Sequence, residues 1–318
     1  IVHVSAGMRE SAAHYAVQAT FLPHCTNVHL AEAIKKAGCK QYVTTVGSIS
    51  TPEQAEEIIA SGKADFVAMA RGLIADPQLP NKARCGKSYD IRPCLRCCEC
   101  QDSDETKMVM TCSVNPNIGR EGRAFYRNDA REKLKVVVVG GGPGGMEAAI
   151  TAAERGHDAI LLEKTDSLGG LLKFTDYDSV KDDLRIYKNY LINKVGRSNI
   201  DVRLNTEATP ELVESLRADA VIVATGSERI VPKIQGIENA AHALDIYQPG
   251  VKVGQKVVII GGGLVGCEMA LHFGREGKQV TVVEMAPEYG GHCAPMYRMG
   301  MEYYLKKYNV EILTSTVC

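Results

Sequence analysis

Residues 134–145 read LKVVVVGGGPGG, and residues 256–266 read KVVIIGGGLVG. Each stretch is an apolar run of strand length that ends in G-x-G-x-x-G, and a second apolar run and an acidic residue follow it. A strand, a glycine-rich turn, a helix and a strand that ends in a carboxylate form the phosphate- and ribose-binding part of a doubly wound α/β domain. The sequence therefore predicts two nucleotide-binding units about 120 residues apart.

The first loop has glycines where a tight turn, a close approach to a pyrophosphate and close helix packing need them. The helix after it directs its positive end at the phosphates, and a carboxylate at the next strand end can accept hydrogen bonds from a ribose diol. A later glycine pair offers a second approach. Residues 220–226 read as a strand that ends in a small-residue turn, and on its own such a turn is more often structural. The residues expected to contact this nucleotide are Gly140, Gly142, Gly144, Gly145, Glu163, Gly170, Ala224, Thr225 and Gly226.

The second loop repeats this geometry with Gly261, Gly263 and Gly266, and Glu284 closes the following strand. A carboxylate at this position favours a free 2′-hydroxyl and repels a 2′-phosphate. Residues 285–287 offer no arginine for such a phosphate. We therefore expect this loop to bind NADH in preference to NADPH.

Composition excludes several other functions. The net charge of the 318-residue chain is −1 and no basic run points to nucleic acid. The apolar stretches are of strand length, so no membrane span is expected. Eleven cysteines in a large chain with nucleotide loops suggest metal ligation in a reducing cytoplasm. Both ends read as interrupted α/β units, so we expect a piece of a longer polypeptide.

Five cysteines lie between residues 94 and 112. Cys94, Cys97, Cys100 and Cys112 form C-x2-C-x2-C-x11-C, which favours a cubane iron–sulfur cluster. Structural zinc more often uses two separated C-x2-C pairs or includes histidine. Zinc and unligated thiols remain the alternatives, and the adjacent Cys98 could replace Cys97 as a ligand.

Residues 1–90 alternate strands and helices with short connections, which predicts parallel strands in an open sheet or a barrel. The expected strands cover 2–7, 42–46 and 65–70, and the expected helices cover 30–37, capped by Asn27, and 52–61. Residues 91–130 are polar and cysteine-rich and are typical of a linker.

The order of these features resembles the NADH:flavin oxidoreductases with an old-yellow-enzyme-type barrel. Parallel α/β units precede Arg92-Pro93-Cys94-x-x-Cys97, Cys112-Ser113-Val114-Asn115-Pro116 and the first glycine loop. The group includes 2,4-dienoyl-CoA reductases, 2-enoate reductases, bile-acid-inducible flavin oxidoreductases and trimethylamine dehydrogenase. Its members commonly have asparagine where Cys98 stands, so the choice of Cys97 as a ligand rests on the resemblance.

The resemblance implies an α/β architecture of four parts. Residues 1–90 would be the last three units of an FMN-binding (β/α)8 barrel, 91–130 the [4Fe-4S] linker, 131–250 the first part of an FAD domain and 251–318 an inserted, truncated NADH-binding Rossmann unit. The FMN phosphate would then lie in the loops after strands seven and eight. Those loops contain Gly47, Ser48, Ala70 and Arg71.

The implied activity transfers electrons from NADH through FAD, the cluster and FMN to an activated alkene. His14 and Tyr15 are candidates for the proton donor, although the main donor is expected outside the chain. The expected partner is a small-molecule alkene, and a homo-oligomer is compatible with the sequence. The alternatives are an amine dehydrogenase like trimethylamine dehydrogenase and a non-catalytic nucleotide-binding electron carrier. Intact glycine loops and Glu284 favour the reductase.

Overall fold

The structure is a computed structural model, and it describes residues 1–8, 13–101, 110–120, 130–178, 180–247 and 250–318. The chain forms two compact units. The first comprises Ile1–Gly119, Tyr177–Asp183 and Ile234–Cys318, and the second comprises Arg120–Asp176 and Leu184–Lys233. The predicted boundaries of the four parts stay a prediction.

The N-terminal part of the first unit is a parallel sheet of three strands in the order β1-β2-β3. The strands are β1 (Val2–Val4), β2 (Val43–Val46) and β3 (Phe66–Ala68), and the helices are α1 (Ala13–Ala16), α2 (Val28–Lys36), α3 (Pro52–Ala60), α4 (Arg71–Ala75) and α5 (Leu79–Arg84). Val43, Val28 and Ile58 belong to the core between sheet and helices. Alternating strands and helices at this length therefore give parallel pairing, as predicted.

Helix α3 begins as the sequence predicts. Pro52 is its first residue, and Thr51 and Gln54 form a reciprocal capping box that satisfies free backbone N–H groups. The prediction for α2 was less accurate, because Asn27 precedes the helix but its side chain does not cap it. The Asn27 amide donates to the carbonyl of Tyr15 at 3.2 Å instead.

The second unit is a four-stranded parallel sheet in the order β6-β5-β4-β7. Its strands are β4 (Lys135–Val139), β5 (Asp158–Leu162), β6 (Ile200–Arg203) and β7 (Ala220–Val223), and the helices in this part of the sequence are α6 (Pro143–Glu154), α7 (Asp182–Arg197) and α8 (Pro210–Ser215). Residues 136–138 are buried because β4 lies between two strands and beneath α6.

The C-terminal part of the first unit is a parallel sheet in the order β10-β9-β8. Its strands are β8 (Lys256–Ile260), β9 (Gln279–Val283) and β10 (Glu311–Leu313), and its helices are α9 (Leu264–Arg275) and α10 (Pro295–Lys307). No helix in the described ranges has the length and apolar character needed to cross a bilayer. The predicted α/β class with parallel sheets is confirmed.

Candidate functional site

The first glycine loop joins β4 to α6 and is closed by the carboxylate predicted to bind ribose. The N–H of Gly141 donates to Oε2 of Glu163 at 2.7 Å. A Cβ added to Gly145 would lie 1.8 Å from the carbonyl oxygen of Gly140, so only glycine fits at this position in the first turn of α6. The loop geometry expected for close helix–strand packing is therefore present.

Glu163 is 8% exposed and is held by several donors. The N–H and the hydroxyl of Thr165 each donate to its Oε1 at 2.8 Å. Burial raises the pKa of the Glu163 carboxyl, but the bonds from Thr165 and Gly141, together with the Lys173 charge, outweigh this and hold the pKa below its usual value. The group is therefore an anion that accepts hydrogen bonds at neutral pH.

The other residues predicted around the first nucleotide surround the same loop. A Cβ on Gly140 would lie 2.4 Å from the carbonyl oxygen of Ala224, the residue that follows β7. Gly170 lies beside Gly142, since a Cβ added to it would come within 2.8 Å of the Gly142 Cα. Thr225 and Gly226 follow Ala224 in the segment after β7. The structure thus brings together the elements that the sequence singled out.

The second loop joins β8 to α9 in the same way. The N–H groups of Gly262 and Ala286 donate to Oε2 and Oε1 of Glu284 at 2.6 and 2.7 Å. A Cβ on Gly266 would lie 1.9 Å from the carbonyl oxygen of Gly261. Glu284 therefore stands at the predicted place at the end of β9, and its preference for NADH stays a prediction.

A second glycine pair beside this loop was missed by the sequence analysis. The N–H of Gly290 donates to the carbonyl oxygen of Gly262 at 2.6 Å, as the N–H of Gly169 does to that of Gly141 at 2.9 Å. Gly290 and Gly291 each lie 121 residues after their counterparts, Gly169 and Gly170. The same offset separates the two loops, so it could have identified this pair.

The residues predicted to hold the FMN phosphate line one cavity of about 100 Å³, and they are Gly47, Ser48, Ala70 and Arg71. Nη1 of Arg71 donates to the carbonyl oxygen of Gln18 at 2.7 Å, and Nη2 donates to Oγ of Ser48 at 3.2 Å. A guanidinium and strand-end backbone groups around one cavity suit a phosphate dianion.

Five cysteines line a second, smaller cavity, and they are Cys94, Cys97, Cys98, Cys100 and Cys112. Among the described residues, which exclude 102–109 between Cys100 and Cys112, no three histidine, cysteine or acidic side chains are arranged to hold a metal ion. The donor set nonetheless consists of sulfur around one space. It fits a group bound by several thiolates.

Hydrogen bonds reach these thiols from the surrounding chain. The N–H of Arg96 donates to Sγ of Cys94 at 3.4 Å, and Oγ of Ser113 lies 3.3 Å from Sγ of Cys97. Burial raises the pKa of Cys94 to about 11 and that of Cys98 to about 12. Without a bound cation these thiols would stay protonated at neutral pH, so a metal centre would have to displace the protons.

The loop between Cys94 and Cys97 is anchored by a buried arginine that the sequence analysis did not single out. Arg96 is 3% exposed and has a positive φ of 50°. Its Nε donates to Oδ2 of Asp183 at 2.8 Å, and Oδ1 of Asp183 lies 2.8 Å from Nε2 of His24. The cysteine loop is therefore fixed to the first residues of α7 and to the segment before α2.

His14 and Tyr15, the candidate proton donors, lie in α1 against α10. The His14 ring stacks on Tyr303 with centroids 4.3 Å apart, and burial lowers its pKa. A hydrogen bond with Tyr303 and burial raise the pKa of Tyr15. Residues 9–12, which precede this helix, lie outside the described residues. A catalytic role for either ring stays a prediction.

Two families match the chain. Residues 134–318 match the pyridine nucleotide-disulphide oxidoreductases, and residues 2–89 match the NADH:flavin oxidoreductase / NADH oxidase family. The chain is 41% identical to an NADH oxidase of Thermoanaerobacter brockii over its whole length and 50% of that protein. It is 40% identical to a cinnamate reductase of Clostridium sporogenes over 76% of the chain and 36% of that protein.

A solved structure gives the same result. The chain superimposes on 2-naphthoyl-CoA reductase in complex with 2-naphthoyl-CoA with a TM-score of 0.88 and 35% identity, over 98% of the chain and 48% of that protein. The chain belongs to the pyridine nucleotide-disulphide oxidoreductase family in its C-terminal part, and it joins this to an NADH:flavin oxidoreductase segment. The family predicted from the sequence is thereby confirmed. The chain spans about half the length of the NADH oxidase and of the naphthoyl-CoA reductase.

Proposed function

We propose that the protein to which this chain belongs is an NADH-dependent flavin and iron–sulfur oxidoreductase that reduces an activated carbon–carbon double bond. The observation that carries the proposal is the pair of glycine loops, each with an N–H bonded to its own strand-end carboxylate at 2.6–2.7 Å. One loop suits FAD and the other suits NADH. An enzyme that needs only one nucleotide has no use for the second.

Each cofactor has a set of residues to hold it. Ser48 and Arg71 would bind the FMN phosphate, and Glu163 and Glu284 would accept hydrogen bonds from the riboses of FAD and NADH. Cys94, Cys97, Cys100 and Cys112 would ligate the [4Fe-4S] cluster. When bound, these groups would supply hydride and single-electron transfer, while the chain fixes their positions and limits access of water.

The substrate class is suggested by the relatives. Cinnamate reductase and 2-naphthoyl-CoA reductase are named for an unsaturated acid and an aromatic acyl thioester. An alkene or arene conjugated to a carboxyl or thioester carbonyl is therefore the proposed substrate. A small molecule as the partner, a cytoplasmic location and a homo-oligomer complete the proposal.

The test combines flavin analysis with turnover. Anaerobically purified protein should release both FMN and FAD, and it should oxidise NADH faster than NADPH when cinnamate or another enoate is supplied. FMN accompanied by ADP, with no NADH oxidation, would indicate the amine dehydrogenase instead. Protein without flavin would leave only the non-catalytic carrier. A Glu284→Ser variant should narrow the difference between the two coenzymes, and Glu288→Ser, an exposed change nearby, is its control.

A further inference from the structure

The phosphate cavity and the cysteine cavity share part of their lining. Arg71 and Cys94 line both of them. Nη2 of Arg71 donates to Ser48 on the phosphate side at 3.2 Å, and Nη1 lies 3.6 Å from Sγ of Cys98 on the cysteine side. One guanidinium therefore stands between the sites proposed for two redox groups.

From this geometry we infer that Arg71 sets the reduction potential of the cysteine-bound cluster, in addition to binding the FMN phosphate. The inference rests on the proposed function, because it needs a cluster in the cysteine cavity. It goes further in giving one residue a role in both sites.

The position of the charge is fixed by hydrogen bonds. Nη1 donates to the carbonyl oxygen of Gln18 at 2.7 Å, and the hydroxyl of Ser48 donates to Oε1 of the same glutamine at 3.2 Å. Gln18 and Ser48 are 1% and 9% exposed. These hydrogen bonds hold the guanidinium in one orientation between the two cavities.

The charge acts on several thiols at once. Arg71 lines the cysteine cavity together with Cys94, Cys97 and Cys100. A positive charge beside this cavity favours any negative charge that is added within it. Reduction of the cluster adds one electron and hence one negative charge, with no bond or proton change at Arg71.

The shared residue also predicts coupling between the two sites. A phosphate dianion bound to Arg71 would neutralise part of its charge and lower the cluster potential. Linkage requires the reverse as well, so reduction of the cluster would weaken phosphate binding by the same factor.

The experiment is a redox titration of the cluster by dithionite, followed by electron paramagnetic resonance, in the anaerobically purified protein. Arg71→Met should lower the equilibrium constant for reduction about tenfold, which is about 59 mV for a one-electron couple. Arg71→Gln keeps a donor for the Gln18 carbonyl and should show a shift of the same sign, which covers a failure of the Met variant to assemble. Arg71→Lys keeps the charge and should stay near the wild-type potential.

The matched control is Arg84→Met, which removes the same charge from an exposed position in the last turn of α5. An unchanged potential in both neutral variants at Arg71, or an equal shift in Arg84→Met, would overturn the inference. Iron, sulfide and the resonance signal of the wild-type protein test the proposed function separately. Their absence would refute the cluster itself, whereas a normal signal at an unshifted potential refutes only the role of Arg71.

Discussion

The two nucleotide loops have the same contacts at a constant offset of 121 residues, yet they differ in what lies beside them. In the first, β7 lies next to β4, and the carbonyl of Ala224 closes on Gly140. In the second, β8 is the edge strand within the described chain, and a Cβ on Gly261 would meet no described atom within 4 Å. Val258 is 67% exposed, whereas its counterpart Val137 is fully buried.

The comparison separates local from tertiary causes. Contacts within each glycine loop are set by the motif. In both loops a glycine N–H and the N–H two residues after the carboxylate donate to that carboxylate at nearly equal distances. Burial and the space around each loop are set by neighbouring strands. Substitutions inside the motif should therefore change stability equally in both glycine loops. Substitutions that face the neighbouring strand should have different effects in the two loops.

The largest effect is expected from Gly145→Ala and Gly266→Ala. The new Cβ would lie within 2 Å of a backbone oxygen in each loop, so the helix must shift, with a loss of about 3 kcal/mol in the free energy of unfolding. Urea unfolding should show an equal loss of stability in the two variants, and fluorescence should show an equal loss of nucleotide affinity. Gly144→Ala is the control, because its counterpart is already Val265 and a Cβ would find open space among the described residues.

A smaller effect should distinguish the loops. Gly140 and Gly261 have φ of 107° and 98°, so alanine is strained at both positions. In the 318-residue chain, in which β8 is the edge strand of the described sheet, Gly261→Ala should cost about 1–2 kcal/mol from this strain alone. Gly140→Ala adds the collision with Ala224 and should cost at least about 1 kcal/mol more. Equal losses in urea unfolding would contradict the role given to β7.

The decrease in the free energy of unfolding at acidic pH should depend on Glu163. Its folded pKa is held below the unfolded value of 4.5. Such a group stabilises the fold above its unfolded pKa, and the stabilisation is lost as pH falls through the folded pKa. Glu163→Gln should lower stability at pH 7 by about 1–2 kcal/mol and flatten its decline below pH 4.5. The measurement is urea unfolding at a series of pH values. If the free energy of unfolding of the variant fell with pH as steeply as that of the wild type, the role given to Glu163 would be contradicted.

The smallest expected effect concerns the hydroxyl that only the first loop has. Thr165→Ala removes one donor to Glu163 and should cost about 1 kcal/mol in unfolding free energy, with a rise in the Glu163 pKa measured by NMR titration. Ala286→Thr would supply the equivalent hydroxyl in the second loop and should raise the unfolding free energy by about the same amount. A pKa of Glu163 that does not respond would show that the backbone donors alone hold the carboxylate.

Local patterns were sufficient to predict the fold. A glycine loop between two apolar runs specifies strand, turn, helix and strand within about 30 residues. The segments around both glycine loops have this order. The repeat also contained the signal for Gly290–Gly291, although the glycine motif alone did not point to it. The capping prediction failed at Asn27, because its side-chain amide donates to the carbonyl oxygen of Tyr15, 12 residues earlier in the chain.

Contacts between distant segments were not predictable in this way. Arg96 is 87 residues from Asp183, and nothing near either residue indicates the other as a partner. The bridging position of Arg71 depends equally on where the strand-end loops meet the cysteine segment. Spacing also left the choice between Cys97 and Cys98 open, and the structure keeps it open because both thiols line the cavity.

The most direct test of a thiolate-bound redox centre between two flavins is a metal, sulfide and flavin assay on anaerobically purified protein. We expect iron and acid-labile sulfide in equal amounts, with a brown colour that fades when NADH is added. Colourless protein that contains zinc, without sulfide or flavin, would contradict the proposal.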